Sequence, residues 1–191
     1  MAAEVDGRRA RREQNRAAVL DALAELYREG VYSPSTAQIA ERAGLSSRSL
    51  FRYFDDVDDL NRAAIDQQLA RARPLLQVGA EPDDPFATRV ERLVDGRLRL
   101  YEAIAPAARA ARTCAWRHPV IAGQIAASRA YLRRQLERLF ATELEALGDR
   151  RGSVLAAVDA LCSFESVELL QDDHKEAAPA LVEALTALLT P

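Results

Sequence analysis

Residues 32–54, YSPSTAQIAERAGLSSRSLFRYF, constrain the fold of this chain more than any other stretch. Ser35 is followed three residues later by Gln38, which is the capping-box pattern that starts a helix. Gly44 suits the left-handed position that ends such a helix, and Ser46 offers a new N-cap almost at once. The stretch therefore predicts two short helices joined by a tight turn.

The second of these helices has two different faces. Leu50 and Phe54 lie four residues apart, so both can anchor the helix to a core. The other face carries hydroxyls, arginines and aromatic rings, namely Ser47, Arg48, Phe51 and Arg52, with Ser49 and Tyr53 at its edges. Arginine recognises guanine in the major groove and hydroxyls bind phosphates, so this face is typical of a DNA-reading helix. It would equally suit the solvated surface of an ordinary helical protein, and periodicity alone leaves both interpretations open.

Residues 10–65, with the continuation DDVDDLNRAAI after Phe54, closely resemble the N-terminal domain of TetR-type bacterial transcriptional regulators in the order, spacing and types of residues. The resemblance implies a three-helix DNA-binding head followed by a connecting helix. It assigns phosphate contacts to Thr36, Ser46, Ser49 and Tyr53, and base contacts to Ser47, Arg48 and Phe51. With Arg52 on the same face, these residues form the predicted DNA-binding set.

One position departs from the family pattern. Many relatives have a phosphate-binding lysine just after the reading helix, whereas this chain has Val57 among Asp55, Asp56, Asp58 and Asp59. Aspartates suit the start of a helix electrostatically but repel the DNA backbone. A helical protein-interaction module that has lost DNA binding therefore remains an alternative.

The formal net charge of −3 indicates that DNA contact must come from a local patch and not from bulk charge. The first 54 residues supply a weak patch, with nine arginines against seven acidic residues. Five of these arginines, Arg8, Arg9, Arg11, Arg12 and Arg16, precede the reading head. By resemblance they form an arm along the DNA phosphates or in the minor groove, although a solvated helix start is as good an interpretation.

The remainder of the chain is helical in period, without an alternating strand pattern or an internal repeat. Beyond the head, helices are predicted over residues 57–73, 86–104, 106–115, 119–147, 151–171 and 176–189. The predicted fold is therefore all-α with about nine helices. An arm and helix-turn-helix DNA-binding domain is expected over residues 1–54, and a larger ligand-binding and dimerisation domain over residues 55–191.

Polar residues interrupt the apolar sides of the helices predicted over 86–104 and 119–147, and buried polar groups need partners. Internal hydrogen bonding or contact with solvent accounts for such residues, and a ligand cavity is the functional alternative. The family resemblance favours a cavity for an unknown small-molecule effector. Its candidate wall residues are Arg97, Tyr101, Cys114, Trp116 and Gln124.

The eighth and ninth predicted helices, over 151–171 and 176–189, are apolar on more than one side, so each must be buried on two sides. One side can pack on the protein's own core and the other on the same helices of a second copy. The segment CSFESVELL also resembles the corresponding helix of many family members. The predicted homodimer interface comprises Val158, Leu161, Phe164, Leu181, Leu185 and Leu188.

Other functional classes find little support. The sequence has no HExxH, GxSxG, phosphate-binding glycine loop or Cys/His pair, so we expect neither an enzyme nor a cofactor. His118 and His174 lack metal-ligand neighbours, and Cys114 and Cys162 suit reduced, packing thiols. No run approaches the roughly 18 apolar residues of a membrane span, so a cytoplasmic protein is expected.

The sequence thus predicts a transcriptional regulator that binds double-stranded DNA. We expect a repressor that recognises a palindromic operator as a homodimer and is released by the effector. A regulator that activates transcription, or one that acts without a ligand, fits the same residues.

Overall fold

The structure, a computed structural model, describes residues 2–173 and 177–190. Within these residues the chain forms ten α-helices and no strand. The helices are α1 (Ala2–Arg28), α2 (Thr36–Arg42), α3 (Ser47–Leu50), α4 (Val57–Ala72), α5 (Phe86–Cys114), α6 (Pro119–Leu139), α7 (Ala141–Ala146), α8 (Arg151–Leu161), α9 (Phe164–Asp173) and α10 (Ala177–Leu189), with short 3₁₀ helices at Arg73–Leu76 and Gly148–Arg150. The predicted all-α fold is confirmed.

Several predicted helix boundaries were wrong. Helix α5 continues through Pro106, where the sequence predicts a break, because Ala108 and Ala110 beyond it are buried and hold the next turn in place. The helix predicted over 119–147 is divided at Phe140, whose backbone leaves the helical region while its ring packs into the core. The helix predicted over 151–171 is divided at Ser163, whose hydroxyl accepts a hydrogen bond from the Ser166 amide at 3.2 Å and caps α9.

The N-terminal arm is also helical. The sequence predicts an arm ahead of the first helix, but α1 already begins at Ala2. Alanine, arginine and glutamate are strong helix formers, so the arginine-rich segment extends the helix. The side chains of Arg8 and Arg9 lie outside the described residues, whereas Arg11 and Arg12 are exposed on α1.

The chain divides into two compact units. The first contains Met1–Arg71 and Ile104–Ile125, and the second contains Ala72–Ala103 and Ala126–Pro191. Helices α5 and α6 therefore contribute residues to both units. The functional boundary predicted between residues 54 and 55 stays a prediction.

The core of the first unit joins α1 to the two short helices that follow it. The apolar stripe of α1 packs with buried residues of α2, α3 and α4, and the cluster comprises Val19, Leu20, Leu23, Leu26, Ile39, Ala40, Leu50, Phe54 and Leu60. Leu50 and Phe54 are 0% and 1% exposed, as the sequence predicts for the anchors of the reading helix.

The second unit has an apolar core that contains two buried arginines. Its fully buried side chains come from α5 to α10 and include Leu93, Leu100, Leu136, Phe140, Leu144, Leu181, Leu185 and Leu189. Arg89 and Arg97, two turns apart on α5, are 6% and 3% exposed. Among residues 2–173 and 177–190, no helix combines the length and apolar character needed to cross a membrane.

Candidate nucleic-acid interface

The turn between α2 and α3 has the predicted caps. The Ser35 hydroxyl accepts a hydrogen bond from the Gln38 amide at 3.2 Å, and the Gln38 side chain accepts one from the Ser35 amide at 2.9 Å. Gly44 has a φ of 69°, which a side chain would strain. The Leu45 amide then donates to the Ala40 carbonyl at 2.8 Å. The capping box and the glycine stop are confirmed.

The reading helix is shorter than the sequence suggests. Helix α3 ends at Leu50, and the chain continues to Tyr53 in tight turns. Amides donate to carbonyls three residues earlier, from Arg52 to Ser49 at 3.1 Å and from Tyr53 to Leu50 at 3.0 Å. The Phe54 amide still reaches the Leu50 carbonyl at 3.3 Å, so both anchors remain on the buried side.

The outward face of α3 and of the turns after it presents the predicted DNA-binding residues. Ser46, Ser47, Arg48, Phe51 and Arg52 are exposed, and the Phe51 ring retains 46% of its surface. The remaining members of the set, Thr36, Ser49 and Tyr53, are half-buried. The Ser46 and Ser49 hydroxyls lie 2.9 Å apart and share a hydrogen bond. A continuous face with two hydroxyls, two arginines and an aromatic ring is therefore available to a duplex.

Helix α1 positions the last part of this face. The Asn15 amide group donates to the Tyr53 hydroxyl at 2.7 Å, which fixes the direction of the phenol. The Arg16 guanidinium lies 4.9 Å from the centre of the Phe54 ring, and one of its nitrogens lies 3.8 Å from Asp59. An open cleft of about 520 Å³ is lined here by Arg12, Glu13, Arg16, Tyr53, Asp55 and Asp59.

The acidic residues at the start of α4 have structural partners. Asp56 caps the helix by accepting a hydrogen bond from the Asp59 amide at 2.7 Å. The Asp59 carboxylate in turn accepts one from the Asp55 amide at 3.2 Å. Asp58 lies 2.8 Å from Nδ1 of His118, which precedes α6. These contacts give the segment a structural role at the start of α4, and Val57 itself is 40% exposed.

Three of the five predicted ligand residues belong to the first unit. The Cys114 thiol lies 3.7 Å from the Tyr32 carbonyl, next to the head. Trp116 is 75% exposed and the Arg117 guanidinium lies 4.2 Å from its ring centre, so the indole does not form the wall of an enclosed cavity. Gln124 is half-buried on α6.

The other two predicted ligand residues, Arg97 and Tyr101, lie one turn apart on α5 in the second unit. Arg97 donates to the Gln135 side-chain oxygen at 2.9 Å and to the Leu132 carbonyl at 3.1 Å. The Tyr101 hydroxyl donates to the Cys162 carbonyl at 2.7 Å. Gln135 was not predicted as a site residue, although it interrupts the apolar side of α6 next to Leu136.

The predicted dimer residues divide into two groups. Val158, Phe164, Leu181 and Leu185 are at most 3% exposed within a single chain, so they pack in its own core and offer no surface to a second copy. Leu161 and Leu188 are half-buried and retain such a surface. Leu169 on α9, outside the predicted set, is 62% exposed. The predicted dimer interface stays a prediction.

Within the described residues, no group of three or more His, Cys, Asp or Glu side chains is arranged to hold a metal ion. His118 instead pairs with Asp58, and His174 lies outside the described residues. Burial raises the pKa of the Cys162 thiol to about 11, so this cysteine stays protonated at neutral pH.

Comparison with known proteins identifies the head. Residues 19–64 match the family model described as bacterial regulatory proteins, tetR family. The matched segment runs from the buried part of α1 into α4 and contains all eight residues of the predicted DNA-binding set. No curated protein matches the chain.

Proposed function

We propose that this chain, whose residues 19–64 match the tetR family of bacterial regulatory proteins, is a DNA-binding transcriptional regulator that represses transcription from a palindromic operator as a homodimer and is released by a small molecule. The observation that carries this proposal is the exposed face of α3 and its following turns, anchored by Leu50 and Phe54 inside the matched segment. The proposed place of action is the cytoplasm, where the bacterial chromosome lies.

On this face we assign base contacts to Ser47, Arg48 and Phe51. A guanidinium can donate two hydrogen bonds to O6 and N7 of guanine, and an apolar ring can contact the thymine methyl group. Arg48 is exposed beside the buried Leu50, so its backbone is fixed while its side chain is free to extend into a groove.

Phosphate contacts fall to Thr36, Ser46, Ser49 and Tyr53. The Ser46 and Ser49 hydroxyls, 2.9 Å apart in the free protein, can both turn to a phosphate oxygen between them. Tyr53 is held in position by Asn15, which lowers the entropy lost when the phenol binds. Arg52 and the exposed arginines of α1, Arg11 and Arg12, add charge that makes binding dependent on salt.

Replacing Arg48 by alanine should weaken binding to the preferred duplex by about 1–3 kcal/mol and relax the preference at one base pair in each half-site. Fluorescence anisotropy with the preferred duplex and single-base variants measures both effects. Arg99→Ala on α5, which removes an exposed arginine outside the head, is the matched control. Unchanged affinity and preference in the Arg48 variant would refute the base contact.

The proposed dimer uses the outer sides of α8 to α10. The exposed Leu169 and the half-buried Leu161 and Leu188 supply apolar surface there. A two-fold dimer would present two reading helices to successive major grooves, which is why a palindrome is expected. We predict a dimer in analytical ultracentrifugation at micromolar concentration. A species that remains monomeric under these conditions would contradict the proposed assembly.

The effector is proposed to act through helices that contribute to both units. A ligand bound among α5 and α6 in the second unit would favour one arrangement of these helices and thereby change the affinity of the head for DNA. A coupling free energy of about 1–3 kcal/mol suffices for a useful switch. The sign of the effect, release or recruitment, is measured by adding effector to the protein and its preferred duplex.

A further inference from the structure

Arg97 is a buried charge without a counter-charge. Its side chain is 3% exposed, and no carboxylate of the described residues lies within ion-pair distance of its guanidinium. Asp159, whose charge acts on Arg97, is paired with Arg133 at 3.5 Å. Burial lowers the pKa of Arg97 from its ordinary value, although an arginine still carries its proton at neutral pH.

Neutral oxygen atoms accept hydrogen bonds from two of the three guanidinium nitrogens of Arg97. One terminal nitrogen donates to the Gln135 side chain and the other to the Leu132 carbonyl, but Nε has no hydrogen-bond partner although it is buried. A buried N–H without a partner destabilises the folded protein, and a buried charge without a counter-charge destabilises it more.

The second buried arginine of α5 shows how this protein neutralises such a charge. Arg89 forms a two-pronged ion pair with Glu143 and also donates to the Asp84 and Leu139 carbonyls. The two arginines occupy the same face of one helix, yet only Arg89 has a carboxylate. The position of Arg97 on this face of α5 therefore does not explain why it lacks a carboxylate partner.

We propose that Arg97 receives a carboxylate group of the effector, which takes the place of the Gln135 side chain. This inference rests on the proposed ligand-controlled regulation and names the chemical class of the ligand. A carboxylate carries one negative charge and two oxygens, so it can neutralise the guanidinium and accept from the terminal nitrogen that now donates to Gln135. A phosphate monoester carries about two negative charges at neutral pH and would leave an excess charge buried.

Gln135 links this exchange to a regulatory response. Its side-chain nitrogen donates to the Leu76 carbonyl at 2.7 Å, and Leu76 follows the end of α4 by four residues along the chain. A ligand carboxylate that displaces Gln135 from Arg97 also breaks this hydrogen bond. The segment Arg73–Leu76 then loses its hydrogen bond to Gln135 of α6, and the end of α4 is free to move.

The experiment measures thermal unfolding of the full-length protein at constant ionic strength with matched acid and amide pairs. Benzoate, phenylacetate, octanoate and decanoate are each compared with the corresponding amide, and phenyl phosphate tests the other anion class. We expect at least one carboxylate to raise the Tm by a few degrees in a concentration-dependent manner, while its amide and the phosphate do not. The response should disappear in Arg97→Met.

Two further variants test the site without relying on Arg97→Met to fold. Gln135→Glu places a carboxylate beside Arg97, so it should raise the Tm without ligand and abolish the response to carboxylates. Gln135→Leu removes the side chain that the ligand displaces, so the response should appear at lower carboxylate concentration. Arg134→Gln, which alters an exposed arginine of α6, should retain the wild-type response.

The carboxylate site is refuted if no acid of the set shifts the Tm, or if amide and acid act equally. It is also refuted if phenyl phosphate acts as well as the acids, or if Gln135→Glu still responds. Failure of the proposed regulatory function is distinguished by a different experiment, because a protein that is not a sequence-specific regulator would enrich no duplex in DNA selection without effector. A protein that selects a palindrome but ignores every carboxylate would keep its proposed function and lose only this site.

Discussion

The Phe54→Ala variant is expected to lose about 3–5 kcal/mol of its free energy of unfolding and to lose specific DNA binding. The Phe54 ring is 1% exposed, packs with Leu50 in the core of the head and lies under the Arg16 guanidinium at 4.9 Å. Truncation leaves a cavity between α1 and the segment after α3 and releases the anchor of the reading face. Urea denaturation measures the first effect and duplex binding the second.

Phe51→Ala is the matched control, because it removes the same side chain three residues away. The Phe51 ring is 46% exposed, so its loss should change the free energy of unfolding by no more than about 0.5 kcal/mol. Affinity for the preferred duplex should nevertheless fall, since the ring lies on the proposed base-reading face. Equal destabilisation by the two substitutions would show that the reading helix is oriented differently.

The Arg89→Met variant is expected to lose about 3–5 kcal/mol of its free energy of unfolding. The Arg89 and Glu143 side chains are 7% and 16% exposed, so the substitution strands a largely buried carboxylate. It also removes the donors to the Asp84 and Leu139 carbonyls and the stacking of the guanidinium on Phe86 and Phe140. Urea denaturation of both proteins at neutral pH measures the difference.

Two control variants test whether the unpaired Glu143 carboxylate causes this loss of stability. Adding Glu143→Leu should recover most of the stability, because the unpaired carboxylate is then absent. Arg99→Met breaks an ion pair with Asp95 whose side chains are 57% and 60% exposed, and should change stability by no more than about 0.5 kcal/mol. If the double variant is as unstable as Arg89→Met, the stranded carboxylate is not the cause.

The same ion pair predicts a dependence on pH. The hydrogen bonds from Arg89 lower the pKa of Glu143 in the folded protein. The stability that the pair contributes is therefore present above the unfolded-state pKa of a glutamate and is lost as the pH falls through the lower folded-state pKa. The stability difference between wild type and Arg89→Met should accordingly narrow in acid.

Local signals in the sequence predicted the head well. Ser35, Gln38 and Gly44 act on the backbone within a few residues of themselves, so their capping and turn roles could be derived without knowledge of the rest of the fold. The buried pair Leu50 and Phe54 follows from helical spacing in the same way. The exposed position of Arg48 then follows from its place on the opposite side.

The second unit was less predictable because its details depend on contacts distant in sequence. From the sequence, the side chains of Val158 and Leu185 could face a second copy or the protein's own core. In the structure both are buried within a single chain, and this depends on the packing of helices distant in sequence. The helix break at Phe140 depends on the packing of its ring in the core, and the break at Ser163 depends on the hydrogen bond that its hydroxyl accepts from the Ser166 amide. Likewise, the pairing of Arg97 with Gln135 joins two helices whose register the sequence does not specify.

Selection of bound sequences from a random duplex library, with purified protein at two salt concentrations, tests the central claim most directly. We expect enrichment of a palindromic consensus that persists at the higher salt concentration, because base contacts from two reading faces add specificity to the salt-dependent phosphate contacts. Absence of any enriched sequence at either salt concentration would contradict sequence-specific regulation and favour a helical protein-interaction module.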